Sequence, residues 1–276
     1  MARRSILFSP GDDPEKLRKA VDTDADVVVF DLEDAVVPDR KAAARETVRA
    51  ALEAVVPADP EVCVRVNPID RGAAEDVAVA LAGQAPDSVM LPKVPDAAAV
   101  DRLAALLADA GLDCPVLALA ESAAGILHAE AIAAADATDA LIFGAEDLSG
   151  DIGATRTDDG GELTHARQQV VLAARAAGVT PIDTHYPDYT DDAGLRAEAE
   201  RAAQLGYDGK LAVHPAQATV INDVFTPDPE RVEWAERILA ARDSAESGVF
   251  VVDGEMIDAP QIRQAERILA RAEIRD

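Results

Sequence analysis

Val116-Leu117-Ala118-Leu119-Ala120-Glu121 is a short apolar run that stops on a carboxylate. Its length and its continuous apolar character suit a strand buried on both faces, the kind that parallel sheets use. Working outward, the same unit recurs along the chain. Strand-like runs are expected at Ser5–Ser9, Val27–Leu32, Val62–Val66, Ser88–Pro92, Ala140–Phe143, Thr180–Asp183 and Leu211–Val213. Helical patterns come between them, among them Arg40–Val55, Ala97–Ala110, Leu163–Ala177 and Leu195–Leu205. Gly111, Gly178 and Gly206 stand where helix C-caps should be, and Asp13-Pro14 opens the first helix. Eight such units predict a closed (β/α)8 TIM barrel, and 276 residues is an ordinary length for one. The rival is an open doubly wound sheet. It lacks support, because no GxGxxG follows the first strand and no GxxxxGK[ST] occurs.

The barrel is expected over residues 1–225. Residues 226–276 then form a C-terminal helical extension that serves as a lid and an oligomer contact. Within it Pro227–Arg242 reads as a helix, Gly248–Asp253 as a short strand or hairpin arm, and Ala259–Ala272 as a final helix.

Composition narrows the function. The chain carries 52 acidic and 26 basic residues, a net charge of −26, and its only lysines are Lys16, Lys19, Lys41, Lys93 and Lys210. No basic patch is available for nucleic-acid phosphates. Charge this extreme suggests adaptation to a salty cytoplasm, where the Debye length shrinks to about 3 Å at molar salt. No apolar stretch is long enough to span a membrane, and the N-terminus is too soon interrupted for a secretory signal, so a cytoplasmic location is expected. Cys63 and Cys114 lack metal-ligand spacing and read as free thiols.

In a barrel of this kind the active site lies at the C-terminal ends of the strands. The polar residues expected there are Asp31, Glu33, Asp34, Arg65, Asn67, Lys93, Glu121, Glu146, Asp147, Asp183, His185 and His214. Strand alternation places Cys63, Arg65 and Asn67 on one face, Leu117, Leu119 and Glu121 on another, and Phe143, Ala145 and Asp147 on a third. If these faces point inward, Arg65, Glu121 and Asp147 meet at the mouth. Two carboxylates there repel unless a cation lies between them, and oxygen-only ligation completed by water and substrate is the magnesium pattern. A plainer reading stands beside this one: Glu121 and Asp147 could serve helix N-termini, and Arg65 could be a structural ion-pair partner.

Several stretches resemble the citrate lyase beta-subunit and malyl-CoA lyase family, within the aldolase/citrate lyase superfamily. They are Arg4-Ser5-Ile6-Leu7-Phe8-Ser9-Pro10-Gly11, Phe30-Asp31-Leu32-Glu33-Asp34, Val64-Arg65-Val66-Asn67, Met90-Leu91-Pro92-Lys93, Glu121-Ser122-Ala123-Ala124-Gly125, Phe143-Gly144-Ala145-Glu146-Asp147, Gly209-Lys210-Leu211-Ala212-Val213-His214-Pro215 and Gly254-Glu255-Met256-Ile257-Asp258. The resemblance runs in order over nearly the whole chain. It implies a carbon–carbon lyase that uses Mg2+, or Mn2+ in its place, to cleave or form a β-hydroxyacyl-CoA of the malyl, methylmalyl or citramalyl type, giving a 2-oxo acid and an acyl-CoA. It implies Glu121 and Asp147 as metal ligands and Arg65 as the substrate arginine. Gly144, Ala145 and Glu146 then contact substrate, with Asp31, Glu33 and Lys93 in support. Asp258 falls on an acidic residue that reaches a neighbouring subunit's site in related lyases, so a homotrimer or hexamer is implied. The sequence departs from the family at His185-Tyr186, where smaller residues are expected. Three alternatives stay open: a malyl-CoA thioesterase on the same scaffold, a citrate lyase beta subunit acting on a carrier-bound substrate, and a non-catalytic barrel.

Overall fold

A computed structural model describes residues 3–272 apart from 56, 158, 244 and 246–247. The chain divides into two compact units, Arg3–Asn222 and a second that begins at Asp223.

The larger unit is a closed barrel of eight parallel strands in sequence order. They are β1 (Ser5–Pro10), β2 (Val27–Asp31), β3 (Glu61–Arg65), β4 (Ser88–Leu91), β5 (Val116–Ala120), β6 (Thr138–Phe143), β7 (Thr180–Asp183) and β8 (Gly209–Ala212). The helices are α1 (Pro14–Ala20), α2 (Lys41–Val55), α3 (Ala73–Ala80), α4 (Ala97–Asp109), α5 (Ala123–Leu127), α6 (Ala129–Ala133), α7 (Ala145–Ile152), α8 (Thr164–Ala177), α9 (Asp192–Leu205) and α10 (Pro215–Phe225). Strand pairing closes where β1 meets β8, with Ser5 opposite Lys210 and Leu7 opposite Ala212. Gly209 permits this closure, because a Cβ there would lie 1.9 Å from the Arg3 carbonyl oxygen.

Side-chain alternation fills the interior with one apolar cluster of Ile6, Val27, Val29, Cys63, Met90, Leu117, Leu119, Ala140, Ile142, Ile182 and Leu211, with Phe8 packed against it. The opposite faces of the same strands meet the helices, so most strand residues are buried on both sides. Helix starts follow local chemistry. Asp13, Asp96, Ser122 and Asp191 each accept hydrogen bonds from the first-turn amides of α1, α4, α5 and α9. Gly178 and Gly206 end α8 and α9 in the left-handed conformation, as the sequence predicts.

The interior pattern corrects one expectation. In β6, Ala140 and Ile142 face inward, so Phe143 does not, and Ala145 and Asp147 lie beyond the strand in α7. Asp147 therefore reaches the mouth from the first turn of a helix rather than from the strand face.

In the second unit α11 (Pro229–Asp243) packs on α12 (Ala259–Ala272). Between them lies a hairpin of β9 (Phe250–Val252) and β10 (Glu255–Ile257), turned at Asp253-Gly254. Ala235, Ile238, Ile257, Ala265 and Ile268 form this unit's own core. No helix among the described residues is long and apolar enough to cross a membrane.

Candidate active site

A cavity of about 380 Å³ opens at the C-terminal ends of the barrel strands. Arg65, Glu121, Gly144, Ala145, Glu146 and Asp147 line it, with Asp31, Asp34 and His185. Apolar walls come from Phe8, Leu119, Leu211 and Val213.

Arg65 is the most firmly held of these. Its Nε and Nη2 donate to the two Asp31 oxygens at 2.7 and 2.6 Å, and Nη1 lies 3.1 Å from Glu33 Oε2. Phe8 supports the guanidinium face at 4.7 Å from the ring centroid. Burial opposes the charge, but the hydrogen bond and charge of Asp31, then the charges of Glu33 and Glu121, outweigh it and raise the Arg65 pKa. Asp31 is fixed in turn by the amides of Glu33 and Ala35, at 2.8 and 3.0 Å. The Nε–Nη2 fork is thus committed to Asp31, and only the outer Nη hydrogens are left for a substrate.

Glu33 stands behind this pair, nearly buried, where desolvation raises its pKa against the pull of Arg65 and Lys93. Lys93 Nζ donates to Glu33 Oε1 at 2.6 Å and lies 3.5 Å from Asp147 Oδ2. Its backbone has φ of 53°, a left-handed conformation uncommon for a side-chain-bearing residue. From it the Lys93 amide donates to Glu121 Oε1 at 2.8 Å. Burial works against the Lys93 cation, but the hydrogen bond to Glu33 and the nearby carboxylates raise its pKa overall.

Glu121 is 6 % exposed. Desolvation, then the charge of Asp147, push its pKa up to about 8. Ser122, not Glu121, caps α5 through its side chain, so the helix-capping reading of Glu121 fails. Asp147 does lie in the first turn of α7, whose N-cap Gly144 offers no side chain. Both oxygen donors suit a hard cation, and a buried carboxyl repelled by its neighbour is relieved by one. Among the described residues no cluster of three or more acidic, His or Cys groups could hold a metal. A cation on Glu121 and Asp147 would take its other ligands from water and substrate.

Other residues expected at the mouth have different roles. Asn67 bonds Asp76 and the Leu32 carbonyl and lies outside the cavity. Asp183 faces the helices, where Arg167 grips both its oxygens and Lys210 approaches at 2.8 Å. The His214 ring accepts from the Ala216 amide and stacks on Tyr189 at 5.1 Å. Some contributors escaped the sequence reading. Phe8 is one, and Lys41 is another: its Nζ donates to the Leu32 and Glu33 carbonyls, both at 2.6 Å, and to Asn67 Oδ1 at 2.9 Å. Thr184 is a third, its Oγ1 accepting from the Ala145 amide at 3.2 Å.

An eight-stranded barrel with an arginine-anchored acidic pocket at its C-terminal mouth has the form of a (β/α)8 enzyme. Residues 4–215 match the model of the HpcH/HpaI aldolase/citrate lyase family, and the chain belongs to that family. It is 35% identical to the mitochondrial citramalyl-CoA lyase of Mus musculus over 98% of this chain and 86% of that protein. It is 38% identical to a (3S)-malyl-CoA thioesterase of Cereibacter sphaeroides over 98% of this chain and 94% of that one. The crystal structure of CitE from Mycobacterium tuberculosis, in complex with magnesium, acetoacetate and coenzyme A, superposes with a TM-score of 0.82. Identity there is 40%, over 99% of this chain and 98% of that one.

Proposed function

We propose that the cavity is the active site of a Mg2+-dependent lyase that cleaves or forms a β-hydroxyacyl-CoA of the malyl or citramalyl type. The observation that carries this is the Glu121–Asp147 pair, in which burial and then the charge of Asp147 add to the cost of ionising Glu121, in a pocket with one anchored arginine. Relatives that act on CoA esters, and one that holds magnesium with coenzyme A, support the same reading. Glu121 and Asp147 would hold Mg2+, which supplies Lewis acidity to the hydroxyl and carboxylate of the acyl group. Arg65 presents its outer Nη hydrogens to oxygen that gains charge as the carbon–carbon bond breaks. Asp31, Glu33 and Lys93 keep those hydrogens aimed, and Gly144, Ala145 and Glu146 border the substrate. Asp258 transfers the proton at the α-carbon of the acyl-CoA, in a site of a neighbouring copy within a homotrimer or hexamer. Two features support Asp258. Its Oδ1 is buried and has no hydrogen-bond partner among the described residues. The Asp258 amide donates to Gln261 Oε1 at 3.2 Å, which fixes the backbone at residue 258 without using its carboxylate.

The test is purified protein with Mg2+ and either malyl-CoA or citramalyl-CoA, with the 2-oxo acid trapped as a hydrazone. Glyoxylate or pyruvate is expected, and chelation should abolish it. Release of neither oxo acid would refute the reading.

A further inference from the structure

Helix α7 begins without a cap of its own. Its N-cap residue, Gly144, has no side chain, and the Leu148 amide reaches the Gly144 carbonyl only at 3.4 Å. The first amides of a helix have no partner within it and need one from elsewhere. For Ala145 that partner is the hydroxyl of Thr184, 39 residues further along the chain, which accepts at 3.2 Å from just beyond β7. Thr184 is 2 % exposed, and the residue before it, Asp183, is clamped by Arg167 and Lys210. The acceptor is therefore fixed from behind. On the other side the Gly144 amide donates to the Ala120 carbonyl at the end of β5, at 3.2 Å. The start of α7 is thus strung between β5 and β7, across the end of β6.

This placement bears unequally on the two carboxylates. Glu121 is fixed directly: the Lys93 amide donates to its Oε1, and Gly144 lies against it. Asp147 sits two residues past Ala145 in the first turn of α7. Its carboxylate forms an ion pair with Lys93 at 3.5 Å, and no hydrogen bond holds it among the described residues. Its separation from Glu121 therefore follows the backbone of that first turn, and the backbone follows Thr184.

We propose that Thr184 is a positioning residue of the metal site. By capping α7 from a second strand it sets the spacing of Asp147 and Glu121, and with it the site's preference for a small cation. This rests on the magnesium reading above. The size preference follows from coordination chemistry. Mg2+ demands a nearly ideal octahedron of oxygens at about 2.0–2.1 Å, whereas Ca2+ accepts about 2.3–2.6 Å in flexible geometry. A pair of carboxylates whose spacing drifts loses the smaller ion first.

The test is calorimetric titration of the full chain, free of substrate, with Mg2+ and separately with Ca2+. Thr184→Val keeps the shape of the side chain and removes the acceptor. Its Mg2+ affinity is expected to fall about tenfold, the low end of the loss for groups that stand behind metal ligands. Its Ca2+ affinity is expected to stay near that of the wild type. Thr184→Ser retains the hydroxyl and is expected to bind both ions as the wild type does. Thermal melts with chelator report stability separately. A cap that served only the fold would lower Tm in the Val variant and leave the ratio of the two affinities unchanged, which overturns the proposal. Equal losses for the two ions overturn it as well, because they mark a damaged site rather than a respaced one. So does a Ser variant that binds as the Val variant does. If the Val variant shows no cooperative melt, Thr184→Ala is read in the same way. Each of these results leaves the metal assignment standing. A wild type that binds neither ion removes both readings.

Discussion

Gly144 has no room for a side chain because Glu121 occupies it: a Cβ at residue 144 would lie 2.5 Å from Glu121 Cβ and 2.7 Å from its Oε2. The end of β6 thus forms a wall against which the β5 carboxylate is set. Gly144→Ala is expected to push Glu121 off its position, at a cost of about 1–3 kcal/mol for overpacking. Mg2+ affinity should fall as far as in Glu121→Ala or Asp147→Ala. Calorimetric titration with Mg2+ checks this, and wild-type affinity in all three variants would remove the metal assignment.

A pH effect follows from Glu121 in metal-free protein. Its ordinary pKa is 4.5, and in the fold it is raised to about 8 by burial and then by Asp147. Between those values the folded carboxyl keeps a proton that the unfolded one has lost, so this group's contribution to stability falls as pH rises and levels off above about 8. Glu121→Gln, which stays neutral, should match wild type at pH 4 and exceed it at pH 9 in thermal melts with chelator. A pH-independent difference in Tm would contradict this.

Arg65→Lys is expected to lower kcat/KM by at least about 100-fold, the scale of losing one oxyanion donor. A lysine keeps the charge but cannot bond Asp31 through a planar fork and still offer outer hydrogens. Steady-state kinetics decide it; near-normal turnover would make Arg65 a structural ion-pair partner.

The net charge of −26 must be carried largely by the surface, because the barrel interior is apolar. Self-repulsion at low ionic strength opposes the compact state. Tm should therefore climb from dilute buffer to molar KCl. A flat profile would count against salt adaptation.

If Asp258 serves a neighbouring copy, two inactive variants should complement each other. Asp258→Asn mixed with Arg65→Ala under conditions of subunit exchange should regain activity, because some mixed sites hold both intact residues. Activity no greater than the sum of the parents would return Asp258 to a helix-terminal role.

The barrel was legible because each buried strand is a compact apolar run flanked by turn chemistry, and Val116–Ala120, Thr180–Asp183 and Ala259–Ala272 match to the residue. β6 was misread in facing because the strand ends at Phe143, so that alternation does not carry on to Ala145 and Asp147, which belong to the next helix. The hairpin was read only through its first arm, Gly248–Asp253; its second strand, β10, was not placed although Asp253-Gly254 is a strong hairpin signal. The carboxylates and Arg65 stood out as charges at strand ends, whereas Lys41 and Phe8 act through partners distant in sequence. One clue lay in plain sight. In a chain with five lysines, Lys41, Lys93 and Lys210 turn inward to carbonyls or carboxylates. A composition that has shed lysine from the surface keeps it where the fold needs a cation.

The seam between β1 and β8 has a consequence for synthesis. On its β8 side the first strand pairs Ser5 with Lys210, so that edge stays unpaired after the strand leaves the ribosome until about two hundred further residues have been added. Such an edge is a template for wrong pairing with other chains. During translation the protein is therefore most vulnerable at its first strand, and a chain truncated before Gly209 exposes that edge permanently.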